Sequence, residues 1–157
     1  MRDAPAPVSP GGELRLPAGR ATLHRMDGTR TSPDALTEIG LRFEVSMAEA
    51  HARAHPEDFE AQRALAYAYT EAGRHALALE ADLRLVALHP ERSELHYDLA
   101  CSYALLDRAD EAFAALDAAV ERGYDDAEHL TDDDDLASLR TDPRWPVLVK
   151  RLEKAES

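Results

Sequence analysis

"HPEDFEAQRALAYAYTEAGRHALALEADLRLVAL" occupies residues 55–88 and "HPERSELHYDLACSYALLDRADEAFAALDAAVER" occupies residues 89–122; laid one above the other, eleven of the 34 positions are identical. Among the matches are His55/His89, Pro56/Pro90, Leu65/Leu99, Ala66/Ala100, Tyr69/Tyr103, Arg74/Arg108, Ala78/Ala112 and Ala81/Ala115. Helical periodicity alone does not place the same side chains in the same register, so the stretch is an internal repeat. Each copy reads as two helices, about 57–72 and 75–88, then 91–106 and 109–122. Gly73 divides the first pair, supplying the left-handed residue that a helix end favours. Pro56 and Pro90 stop the helices before them, because the residue ahead of a proline is pushed out of the helical region.

The apolar positions follow the same plan. Leu65, Tyr69 and Ala72 line one side of the first helix, and Ala78, Ala81, Leu85 and Leu88 one side of the second. In the second copy the equivalents are Leu95, Leu99, Tyr103 and Leu106, then Ala112, Leu116, Ala119 and Val120. Small side chains at Ala66, Ala78, Ala100 and Ala112 allow helices to approach closely. A single unit of this kind cannot bury its own apolar face, so neighbouring segments must cap the stack.

Upstream, residues 33–54 read as a first helix with Ser32 placed to cap it and Pro33 in its first turn. Leu36, Ile39, Phe43, Met47 and Ala50 fall on one stripe, which is expected to face the repeats. Residues 1–32 differ in kind: four prolines, the Gly11-Gly12 pair and five arginines against Asp3, Glu13 and Asp27. That composition predicts a mostly disordered arm, with a hairpin over "LRLPAGRATLHRM" (14–26) as the alternative. Downstream, residues 123–157 end in a helix from about 143 to 154 whose Trp145, Leu148, Val149 and Leu152 suit a cap.

The 34-residue period, with Leu65-Ala66, Tyr69, Gly73, Ala78 and Pro90 in one copy and Leu99-Ala100, Tyr103 and Ala112 in the other, resembles the tetratricopeptide repeat. The run Gly123-Tyr124, Asp135-Leu136, Leu139-Arg140 and Asp142-Pro143-Arg144-Trp145 is similar to the ending of many bacterial tetratricopeptide proteins. The resemblance spans about residues 57–154. It implies an all-α fold, a short α-solenoid of helix-turn-helix repeats with N- and C-terminal capping helices, over residues 33–157 (33–54, 57–88, 91–122 and 123–157). Departures from the family pattern are Gln62 and His96, where Trp is frequent, and Asp82 and Leu116, where an aromatic side chain is frequent.

Charge narrows the functional classes. The 157 residues carry 31 acidic and 18 basic side chains, a formal net charge of −13, which repels phosphate backbones and anionic lipid alike. Neither nucleic acid nor membrane is an expected partner. The opening residues lack the apolar segment of a secretory signal, and no run approaches the ~20 apolar residues that span a bilayer. A cytoplasmic location is expected, and the single cysteine, Cys101, agrees with a reducing compartment.

Candidate chemistry is sparse. His51 and His55 have a helical metal-ligand spacing without an adjacent completing set, and His55 and His89 suit helix C-termini instead. The run Asp132-Asp133-Asp134-Asp135 lacks the alternating ligands, glycine and terminal glutamate of a calcium loop; capping of a short helix, with the other charges solvated, is the better reading. Nothing basic near Cys101 in the sequence would activate it. There is no phosphate loop, nucleophile elbow or paired acid/base signature, so no enzymatic activity, cofactor or metal is expected.

Binding remains. Stacked helix pairs line a concave surface with their first helices. The residues expected there are Glu60, Arg63, Tyr67 and Thr70 from the first copy, and Glu94, Tyr97 and Cys101 from the second. Aromatic groups among charges suit a peptide or helix of a partner protein; alternatively, Tyr67 and Tyr97 only cover alanine-rich packing. Family members that hold the acidic tails of heat-shock chaperones use Lys and Asn here, which this chain lacks. The expected function is therefore a non-catalytic protein-interaction or assembly module. The alternatives are an enzyme-associated regulatory or metal-binding unit, or a homo-oligomeric scaffold.

Overall fold

Helix boundaries follow local chemistry in the computed structural model, which describes residues 33–155. The first helix, α1 (Pro33–Ala54), ends at His55-Pro56. Asp58 then caps α2 (Phe59–Glu71), its carboxylate accepting from the Ala61 N–H at 2.9 Å. Gly73, at φ +68°, turns the chain into α3 (His75–Leu88). The second copy repeats this at the same offset: α4 (Ser93–Ala104) and α5 (Ala109–Glu121) start 34 residues after α2 and α3. Asp107, the counterpart of Gly73, holds the same left-handed conformation at φ 58°, which a short polar side chain tolerates better than most. Three short elements close the chain: α6 (Ala127–Asp132), a 3-10 segment (Asp134–Leu139) and α7 (Trp145–Ala155). Among the described residues the protein is all-helical, and no helix is long and apolar enough to cross a membrane.

Successive helices from α1 to α5 pack on one another, the 3-10 segment packs on α4, and α6 packs on α7. Ala78, Ala100, Ala112 and Ala119 are fully buried, as close helix approach requires. Most of the core lies toward the C-terminus, where Leu99, Leu116, Leu130, Leu136, Leu139, Trp145, Leu148 and Leu152 form one continuous cluster. A smaller cluster of Ala66, Leu85 and Leu95 joins α2, α3 and α4. Outside the C-terminal core, Arg144 bonds to Asp142 and Asp110 at 2.7 and 2.8 Å, with its guanidinium 4.2 Å from the centre of the Phe113 ring. Exposed ion pairs contribute little, so burial of Trp145, Leu148 and Leu152 is what seats α7.

The polar residues at the two departures Gln62 and His96 are satisfied by backbone. Gln62 Nε2 donates to Ala52 O at 3.0 Å, tying α2 to α1, and His96 Nε2 lies 2.9 Å from Pro90 O. Gln62 also lines a cavity of about 610 Å³ between α1, α2 and α3, shared with Leu65, Tyr69, Leu77 and Leu88.

Two expectations need correction. Leu36, Ile39, Phe43 and Met47 do not face the repeats; they are between 55% and 65% exposed, and Ala50 is exposed too. The buried face of α1 is Val45 and Ala52, flanked by the half-buried Leu41 and Ala48. These two stripes lie on nearly opposite sides of the helix. With α2 as its packing neighbour, α1 buries the face whose small Ala48 and Ala52 permit close approach. Leu88, expected inside, is exposed at the end of α3. The Ser32 cap and the arm expected over residues 1–32 lie outside the described residues.

Candidate functional site

On α2, residues 60, 63, 67 and 70 step by 3, 4 and 3 and so share one face. The 34-residue offset gives 97 and 101 the same standing on α4. Packed side by side through α3, the two faces border a groove of about 640 Å³, with His129, Asp132, Asp133 and Asp135 at its α6 end. Glu60, Arg63, Tyr67, Thr70, Tyr97 and Cys101 all lie on its wall. Glu94 does not; it sits in the first turn of α4, 3.3 Å from Arg92.

These side chains play different parts. Tyr97 is buried and stacked on Tyr124, ring centres 4.5 Å apart at 12°, and its hydroxyl donates to Asp133 Oδ2 at 2.6 Å. It forms the wall rather than a free contact. Tyr67 is 66% exposed and lines the groove. Arg63 Nε donates to Asp98 Oδ2 at 3.0 Å, and the Thr70 hydroxyl turns back to Ala66 O at 3.4 Å.

Cys101 is a buried part of this wall, its sulfur 3.6 Å from Asp133 Oδ2. Burial, then the facing Asp133 and Asp135, push the thiol up, so it stays protonated and is no nucleophile. The sulfur and one oxygen each of Asp133 and Asp135 fall within 4.8 Å of one another. A protonated thiol and a carboxylate already accepting from Tyr97 form a hydrogen-bonded wall, a poor ligand set for a cation. His51 and His55 stand with ring centres 4.8 Å apart and join no such cluster among the described residues.

Several groove residues lie beyond the sequence expectation: Glu71, Asp82, Asp98, His129, Asp132, Asp133 and Asp135. Asp98 had a signal, since it stands one residue past the repeat counterpart of Arg63. The aspartate run behaves partly as expected: Asp133 caps the 3-10 segment by accepting from the Asp135 N–H at 2.9 Å. Its remaining charges are not all solvated, because docking of the 3-10 segment on α4 brings Asp133 and Asp135 into the groove. Burial holds the carboxyls of Asp98 and Asp135 above the usual range, against the lowering by Arg63 at Asp98 and with the help of Asp133 at Asp135. Asp82 is 5% exposed, accepts from the Ser102 hydroxyl at 2.5 Å, and is pushed up to about 6 by burial.

The chain is similar to a chloroplastic protein from Arabidopsis thaliana. The two are 28% identical over 90 residues, which cover 55% of this chain and 27% of that protein. This chain thus spans about a quarter of that relative's length. No family model matches the chain. No solved structure matches it either.

Proposed function

We propose that this chain is a tetratricopeptide-like interaction module that holds an extended peptide or a helix of a partner protein in the groove between α2 and α4, without catalysis of its own. The observation that carries this reading is the groove itself: repeat-equivalent faces of two helices supply its long walls, and an exposed tyrosine stands in it. The equal 34-residue spacing of α2 to α4 and α3 to α5 supports the solenoid assignment. A reducing, cytoplasmic setting accords with the buried, protonated Cys101.

The test uses two baits in extract of the source cell, the unaltered chain and Ala64→Trp. Ala64 is exposed on the groove wall, so the indole fills the groove without entering the core. A polypeptide retained by the unaltered chain and lost with Ala64→Trp, at equal helix content, is the expected result. Identical sets of retained polypeptides on the two baits would overturn the reading.

The exposed face of α1 favours a second reading, a homo-oligomeric scaffold joined through Leu36, Ile39, Phe43 and Met47. Native mass measurement of the full chain distinguishes the two, with a dimer abolished by Phe43→Glu pointing to the scaffold.

A further inference from the structure

We propose that the occupant of the α2/α4 groove is cationic: a peptide segment bearing Lys or Arg, with charged heads among Glu60, Glu71 and Asp132 and an aliphatic stem laid on the Tyr67 ring. This rests on the interaction-module reading and names the partner chemistry it leaves open.

Four observations lead to it. Seven carboxylates line the groove against one guanidinium, Arg63, which is already bonded to Asp98. Among the described residues no further Lys or Arg lines the groove and His129 is its one other basic side chain, so an incoming anion meets mostly carboxylates while an incoming cation finds several partners. Carboxylates crowded in this way jointly favour a cation; at Asp135 burial and then the adjacent Asp133 hold the carboxyl above the ordinary range. A groove of about 640 Å³ has room for several long side chains rather than a lone ion. Finally, Tyr67 offers an exposed aromatic face, to which ammonium and guanidinium groups are attracted, while the alkyl stems of Lys and Arg cover apolar surface.

The acidic chain attracts any cation to some degree, so the test must separate the groove from the general field. Fluorescence anisotropy of the full chain is measured with three labelled peptides of equal length: one in which Lys and Arg alternate with Leu, and two in which Glu or Gln replaces every Lys and Arg. One triple variant, E60Q/E71Q/D132N, removes charges from the groove. A second, E57Q/E91Q/E121Q, removes as many exposed charges outside it. Saturable binding of the Lys/Arg peptide alone is expected. The groove triple should weaken it about tenfold or more and the outer triple less than about twofold, with Tyr67→Ala weakening it as well.

Equal weakening by both triples would show a diffuse charge effect and overturn the proposal. Binding of the Gln or Glu peptide at least as tightly, still lost in Ala64→Trp, would overturn the cationic preference and leave the interaction module standing. Absence of saturable binding for the Lys/Arg peptide overturns the proposal directly.

Discussion

Replacing Asp82 by asparagine should stabilise the protein at neutral pH and do little in acid. Asp82 sits inside α3 at 5% exposure with Ser102 as its hydrogen-bond donor, and its carboxyl titrates at about 6. In the unfolded chain an aspartate titrates near ~3.9. Between those values the folded protein keeps a proton that the unfolded chain has released, so unfolding free energy falls as pH rises through that window. The stabilising effect of this protonation is complete below the unfolded value and gone above about 6. A displacement of about two units at ~1.36 kcal/mol each corresponds to about 3 kcal/mol. Asparagine keeps the shape and cannot ionise. Urea unfolding followed by circular dichroism should therefore show Asp82→Asn more stable by about 1–3 kcal/mol at about pH 7.5, and within about 0.5 kcal/mol of the parent at about pH 4. Asp142, held at about 2 by Arg144, moves stability the other way, but it is common to both proteins and cancels in the difference. An equal gain at both pH values, or none at neutral pH, would refute the reasoning.

Ala78→Leu or Ala112→Leu, each at a fully buried position, should cost about 1–3 kcal/mol through overpacking; an unchanged melting midpoint would contradict the close helix approach. Truncation after Gly123 strips Leu130, Leu136, Leu139, Trp145, Leu148 and Leu152 from the main core and should give an unfolded or self-associating chain by size-exclusion chromatography. In the intact protein Trp145 should emit in the blue-shifted range and resist iodide quenching, and a water-exposed emission maximum would mean that α7 does not dock. Phe43→Ser, at a residue 65% exposed, should change monomer stability by less than about 0.5 kcal/mol in urea titration; a loss of about 2 kcal/mol, the size expected for a buried side chain, would show that the α1 face is covered.

The repeat was legible because it is written twice. Proline, tyrosine and small residues recur at a fixed offset, and the helices start where that offset puts them. The buried side of α1 was hidden for the opposite reason: its most hydrophobic stripe, Leu36 to Met47, is the one left outside. Hydrophobicity ranks faces, but the number of neighbours decides how many are buried. The α2 and α4 faces of the groove followed from helical spacing, except at Glu94, which lies in the first turn of α4 beside Arg92 and does not line the groove. The acidic end was not legible. Asp133 and Asp135 reach the groove only because the 3-10 segment docks on α4, a through-space event that no local pattern marks. Asp82 was visible as a departure from an aromatic position, but its burial was not.

The uneven division of the core between the two ends of the molecule implies a gradient in opening. Amides of α4, α5 and α7, anchored by the large C-terminal cluster, should exchange hydrogen only when the whole domain unfolds. Those of α1, whose buried face is Val45 and Ala52, and of α2 and α3, which share the small cluster of Ala66, Leu85 and Leu95 with α4 and reach the large one through Leu79, should exchange through smaller, cheaper openings. The groove takes one long wall from each of these regions. An occupant bridging α2 and α4 would clamp the looser wall to the firmer one, and protection gained on binding should therefore appear chiefly in α2 and α3, the part of the fold that most often lets go.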